Sequence, residues 1–381
     1  TVGYMPLVGE TAPFGTNALV MAWNDSAIFG EMKDEMDVQV KESTGRWPAV
    51  YNERYPGSFW YHFTKCLDRE YKMITRNTPF LIGRAAQALV MGAIAGSLFS
   101  NLATDDSNSM SGILFFASLT GAFSAMSMLP IIFEQRAVFY KHSRSLFFPT
   151  HAYVLAQTIV MYPLMIIETI VFITIVYWSV GLSDDLDGSR FFTHMFVVFV
   201  FSLAMSQFFR LVASSLPTLD VANPIAGILI TLMVLFSGYI IPKKNIPDGW
   251  IWFYYINPVA YAIQSVTINE FLAPDYDFPA CSNTACTVEE RFGDVVLKSR
   301  GLPTEQAWVW YGVAIMVGLY LVFLVLTTLA LTYIRREAVP PPRIVIDYSE
   351  EMSTKEEEAM VNIPFEPVSF SFKDVWYTVT L

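Results

Sequence analysis

Few residues in this chain have types and spacings suited to making or breaking bonds. There is no GxxxxGK[ST] run to cradle a phosphate and no HExxH pair to hold zinc. The four histidines, His62, His142, His151 and His194, are scattered, which argues against a metal site. Glu168 stands out, a carboxyl in the middle of the apolar run "MYPLMIIETIVF". Facing lipid it would cost about 2.5–3.5 kcal/mol, so it is expected to face other helices, with a partner or with its proton. Two roles fit it: a relay coupled to movement, or a hydrogen-bonding strut between helices. Arg84, near one end of its own apolar run, is expected to snorkel to the interface. Cys281 and Cys286 in "DFPACSNTACTVEE" leave three readings open: a chance pair, a bond to another chain, or an intrachain bridge. The opening "TVGYM" resembles a potassium-filter loop, but such a loop must lie between two membrane spans.

The elements that hold these residues are apolar. Of 381 residues, 54% are hydrophobic and only 15% charged, against about 25% charged in ordinary globular domains. Six stretches reach the roughly 20 residues needed to cross a bilayer: 79–99, 110–133, 152–180, 191–209, 222–241 and 307–334. A soluble fold with six such stretches would lack polar surface, so the expectation is an all-α membrane protein. Lys65, Arg69, Lys72 and Arg76 precede the first span. Arg136, Lys141 and Arg144 follow the second, Arg210 the fourth, and Arg335 with Arg336 the sixth. The connections "SNLATDDSNS" and "GLSDDLDGSR" are acidic, which puts both termini in the cytoplasm and residues 242–306 outside. Lys243 and Lys244 run against this alternation, but they open a long segment, where the rule is weak. The net charge of -11 argues against a nucleic-acid partner.

Residues 58–78 read as an amphipathic helix, with Phe59, Phe63 and Leu67 on one face and the four basic residues on another. Such a helix lies along the membrane surface, with membrane lipids as its partner. Residues 1–57 show no sustained periodicity, and Thr1 to Asn17 lack the basic start and apolar run of a cleavable signal. After Arg336, "PPP" and "EEMSTKEEE" read as a linker, and "EPVSFSFKDVWYTVTL" alternates like the opening strands of another domain. In "SGYIIPKKNIPDGWIWFYYINPVAYA" an apolar helix stops at Pro242 and the chain returns through a cluster of aromatics. Trp and Tyr gather at membrane interfaces.

That stretch, together with "LPIIFEQRAVFYKHSRSLFFPTHAYVLAQTIVMYPLMIIETIVFITIVYWSVGL", resembles the transmembrane domains of ABCG-type transporters, especially their pleiotropic drug resistance branch. The resemblance covers residues 58–336. It implies six transmembrane helices of the ABC-2 type, a connecting helix at 58–78, a re-entrant segment after the fifth helix, and an extracellular loop. It further implies the first membrane half of a longer polypeptide, 1–57 trailing from one nucleotide-binding domain and 337–381 opening a second. The partners would be a second transmembrane half and two nucleotide-binding domains, with ATP and Mg held there and no cofactor in this chain. The implied activity is export of amphipathic small molecules: xenobiotics, lipids or sterols. The alternative is a membrane anchor or scaffold that moves nothing. By position in the family pattern, "FEQRAVFYKH" becomes a coupling helix touching the ATP-binding domain through Glu134, Arg136 and Tyr140. Thr120 and Phe123 in "ILFFASLTGAF", with Thr231 and Val234 in "ITLMVLFSGYI", become cavity-lining residues. Tyr239 and Ile240 become the outer plug, more polar than in relatives because tyrosine replaces an apolar residue. Relatives carry disulfides near Cys281 and Cys286, which favours a bridge there, whereas Cys66 is expected to stay reduced.

Overall fold

A computed structural model describes residues 24–42, 55, 57–100, 102–103, 105–183, 188–279 and 290–334. Among them there is no strand, only an isolated bridge between Pro279 and Arg291. The fold class is that of an all-α membrane protein.

The first helix, α1 (Ala27–Glu42), lies where the sequence showed no periodicity. Its Glu, Lys and Met residues are strong helix formers, so it needs no apolar stripe. The amphipathic helix follows as α2 (Phe59–Arg76), opened by Ser58, whose hydroxyl accepts the Tyr61 N–H at 3.3 Å. Asn77 ends α2 and caps α3 (Thr78–Leu98), so one residue fixes the angle between them.

Next come α4 (Ser107–Met126) and α5 (Leu129–Arg144). They form one long rod with a joint at Ser127–Met128, where Pro130 starts the second part. The third apolar stretch is likewise two helices, α6 (Thr150–Val160) and α7 (Tyr162–Val180), jointed at Met161 just before Pro163. Proline removes a helical N–H, which is tolerated in a first turn and not in an interior. The fourth helix, α8 (Ser189–Ser215), runs beyond the expected boundary at 209 and takes Arg210 inside the bundle. Arg210 is 2% exposed and so does not mark a solvated loop.

Among the described residues, five helical rods are long and apolar enough to cross a membrane: Thr78–Leu98, Ser107–Arg144, Thr150–Val180, Ser189–Ser215 and Ala307–Tyr333, the last being α13. The remaining expected span is a shorter apolar helix, α9 (Leu219–Leu235), of 17 residues. That gives about 25 Å of helix, short of a hydrocarbon core of about 30 Å. Residues 236–241 leave the helix through Gly238 at φ 85°, a conformation that favours glycine.

Residues 242–306 are not a simple solvated loop. They hold α10 (Ile251–Tyr255), α11 (Pro258–Phe271) and α12 (Phe292–Ser299), and every one of the 14 residues of α11 is buried. Asn257 makes the turn into α11. Its amide donates to the Met233 and Phe236 carbonyls at 2.7 and 3.3 Å, tying down the end of α9. Its side-chain oxygen accepts the Val259 N–H at 3.0 Å and caps α11.

Helix α8 is the centre, touching α4, α7, α11 and α13. The outer helices α3 and α13 bury only 22% of their apolar windows, whereas α8 buries 67%. Small residues let these helices close up. A Cβ on Gly312 of α13 would stand 2.1 Å from the Ser265 hydroxyl of α11. One on Gly96 of α3 would stand 2.7 Å from the Ser179 side chain of α7.

Candidate functional site

Three groups of polar residues sit where apolar packing would be cheaper. The first joins α3 to α7. Arg84 Nε and Nη2 donate to the two carboxylate oxygens of Glu168. Arg84 Nη1 donates to the Ser124 carbonyl at 2.8 Å and the Ser127 hydroxyl at 3.2 Å. The two side chains are 4% and 12% exposed. The snorkelling expected of Arg84 is therefore corrected: it turns inward as the partner of Glu168. A narrow cleft beside the pair is lined by Thr120, Ser124, Thr169 and Ser202.

The four expected cavity residues do not meet in one place. Thr120 lines that cleft and returns its hydroxyl to the Phe116 carbonyl at 2.9 Å. Phe123, 49% exposed, and the exposed Thr231 stand on open faces of α4 and α9, with Val234 half-buried. Tyr239 stacks on Phe115 of α4 with centroids 4.4 Å apart, and the Arg300 guanidinium lies over its ring at 5.2 Å. Ile240 beside it is exposed.

The second group lies in the expected coupling segment. Arg136 was expected to face an ATP-binding domain; it is buried and clamps the end of α8 instead. Its guanidinium donates to the carbonyls of Ala213, Leu216 and Pro217 at 2.5, 2.6 and 2.6 Å. A cation at a helix C-terminus also meets the negative end of the helix dipole. Tyr140, 5% exposed, is likewise turned inward. It packs with Cys66, Phe139, Tyr153 and Leu331 in a small apolar cluster joining α2, α5, α6 and α13. Both corrections have one cause: the segment is amphipathic, and its buried face carries Ile132, Gln135, Arg136, Phe139 and Tyr140 at helical spacing. Glu134, on the other face, is exposed.

The third group is the inward face of α2: His62, Cys66, Glu70 and Ile74. Glu70 is 0% exposed, and neither carboxylate oxygen has a hydrogen-bond partner. The Arg69 guanidinium stands 3.5 Å away. Burial pushes the Glu70 carboxyl above its ordinary value, more than Arg69 and Arg210 pull it back. Burial and the neighbouring Glu70 push the Cys66 thiol up to about 11, so it stays a thiol. A raised carboxyl binds its proton more readily in the folded state, so its stability contribution is present at low pH. That contribution is lost as pH rises through the folded-state value. Thermal unfolding of the full-length protein in detergent is therefore expected to lose stability as the pH rises above the ordinary carboxylate range. Glu70→Gln should flatten that slope and stabilise at the upper end. A slope unchanged by Glu70→Gln would show that the carboxyl is not buried.

Polar residues missed in the sequence link these groups. Gln157 donates to Gln135 at 2.5 Å, and Gln207 donates to Thr327 at 3.0 Å. The rule that singled out Glu168, the cost of a polar group within an apolar run, picks out Gln157 and Gln207 equally. Cys66 is free and buried. Cys281 and Cys286 lie outside the described residues, as do most of 1–57 and all of 337–381.

Residues 61–271 match the family described as ABC-2 type transporter, and residues 282–339 match the family described as plant PDR ABC transporter associated. The first match takes in more than half of the chain, which belongs to the ABC-2 type transporter family. Its relatives are of the ABCG and pleiotropic drug resistance type. ABC transporter G family member 35 of Arabidopsis thaliana is 28% identical over 374 residues, covering 93% of this chain and 25% of that protein. ABC transporter G family member 2 of Dictyostelium discoideum is 29% identical over 328 residues, covering 81% and 24%. Pleiotropic drug resistance protein 1 of Nicotiana tabacum is 27% identical over 384 residues, covering 94% and 26%. The chain thus spans about a quarter of the length of the curated relatives it matches. It is an integral membrane domain of the ABC-2 type.

Proposed function

We propose that this chain is the membrane half of an ATP-driven exporter of amphipathic compounds: xenobiotics, lipids or sterols. It is the first of two such halves in one polypeptide, set in the plasma membrane with both termini cytoplasmic. ATP and Mg bind to two nucleotide-binding domains of the same polypeptide. The observation that carries the reading is the shared cluster of Cys66, Tyr140, Tyr153 and Leu331. Through it the surface helix α2, the segment α5 and the spanning helix α13 move together. A push on the exposed face of α5, where Glu134 stands, reaches α8 through the Arg136 clamp and α13 through Tyr140. Export then requires two packings of the bundle that bind ligand differently. Phe123, Thr231 and Val234 on the open faces of α4 and α9 line the path, Thr120 borders it, and Tyr239 with Ile240 closes its outer end.

The test is transport by the full-length protein in vesicles, with labelled phospholipids, a fluorescent sterol and fluorescent drugs as probes. ATP-dependent movement of at least one class is expected, lost when the ATP sites are disabled. Steady ATP hydrolysis with no probe moved would sink the exporter and leave a scaffold. Glu134→Ala should lower ligand-stimulated ATP hydrolysis at unchanged expression; full stimulation would remove α5 from the transmission path.

A further inference from the structure

Helix α2 has three faces, separated by the 100° step of a helix. His62, Cys66, Glu70 and Ile74 face the bundle. Leu67, Asp68, Tyr71 and Thr75 border an open groove, and Lys65, Lys72 and Arg76 form an exposed ridge on the side away from the bundle. The groove continues over Leu81 of α3, Ile159 of α6 and Leu164 of α7, and holds about 530 Å³. Its walls are mainly apolar, with the Asp68 carboxylate at the edge where it pairs with Lys72, and the described residues leave it uncovered.

The ridge beside it is cationic. Lys72 is paired with Asp68 at 2.6 Å, but Lys65 and Arg76 form no ion pair among the described residues. Lys65 instead rests on the Tyr61 ring at 5.7 Å. Trp60, Tyr61 and Tyr71 are 69%, 55% and 60% exposed, the aromatic surplus of a membrane interface. An apolar trough running into the bundle, edged by free cations at the interface, matches one molecule in polarity and in charge. We propose that this groove is a binding site for an anionic phospholipid. An acyl chain lies between α2 and the α6–α7 joint, and the phosphate with its anionic headgroup lies along Lys65 and Arg76. The lipid supplies the packing that α2 lacks on this face. It differs from lipid that merely surrounds the bundle by being held in a concavity and chosen by charge. The site rests on neither the direction nor the fact of transport.

The test uses the full-length protein in nanodiscs of phosphatidylcholine alone or mixed with phosphatidylserine, and reads the lipids that stay bound by native mass spectrometry. Phosphatidylserine is expected to be retained in preference to phosphatidylcholine. Lys65→Gln with Arg76→Gln, both exposed and safe for folding, should lower that preference about thirtyfold, since each cation near a membrane surface favours an anionic lipid roughly fivefold. Thr75→Trp, which fills the groove from an exposed position, should abolish retention of both lipids. Equal retention of the two lipids by the unaltered protein would overturn the proposal. So would a preference that survives the loss of both cations, or retention that survives Thr75→Trp, which would place the lipid elsewhere.

Discussion

Arg84→Met is expected to destabilise the membrane unit by about 3–5 kcal/mol, because it leaves the Glu168 carboxylate buried without its partner. The carboxylate has both oxygens committed to Arg84, while Arg84 spreads its remaining donors over Ser124 and Ser127. Removing the arginine therefore breaks a network that is satisfied on both sides. Removing both charges, as in Arg84→Met with Glu168→Leu, should recover most of the loss, since apolar residues of similar volume often replace buried ion pairs at little cost. Glu168→Gln keeps one acceptor oxygen for the guanidinium and should be milder than Glu168→Leu alone. Thermal unfolding in detergent would rank the four variants. A single arginine variant as stable as the unaltered protein would mean that the pair is not formed in the membrane. Loss of turnover in Glu168→Gln at full stability would give the carboxyl a role in movement beyond its role as a strut.

Arg136→Met is expected to lower folded yield sharply. Three carbonyls at the end of α8 would lose their donor together, and an unsatisfied buried polar group costs about 1–3 kcal/mol. Arg136→Lys should fall between, because an ammonium keeps the charge at the helix end but lacks the planar fork that reaches all three oxygens. Glu134→Ala, one turn face away and exposed, should leave yield unchanged. The readout is the amount of monodisperse full-length protein after purification. Normal yield of Arg136→Met would show that the clamp contributes little to folding.

The apolar rods were legible in the sequence because a bilayer imposes length and composition on every span. Ala307–Tyr333 was found almost to the residue, and α2 by its period. The joints were not, although Pro130 and Pro163 stand at them, since proline in a first helical turn interrupts nothing in the apolar run. The site was less legible. A carboxyl in an oily run announces itself, but its partner lies 84 positions earlier, and nothing local to Arg84 distinguishes pairing from snorkelling. Arg136 misled for the opposite reason. Its neighbours Glu134 and Lys141 are polar, so the segment reads as solvated until the end of α8 is placed against it. The α11 helix was hidden by its own polar content: Gln264, Asn269 and Glu270 look like loop residues, and they are buried.

The total burial of α11 also fixes an order of assembly. Its shelter is made by α8, synthesised before it, and by α13, whose last residue follows Phe271 by 62 positions. At about 5–20 residues per second, translation leaves α11 without one of its walls for roughly 3–12 seconds. During that interval Ser265 lacks the Val309 carbonyl to which its hydroxyl donates, whereas Glu270 already has Ser183. The contact between α11 and α13 is therefore the last side of this shelter to close as the chain is made.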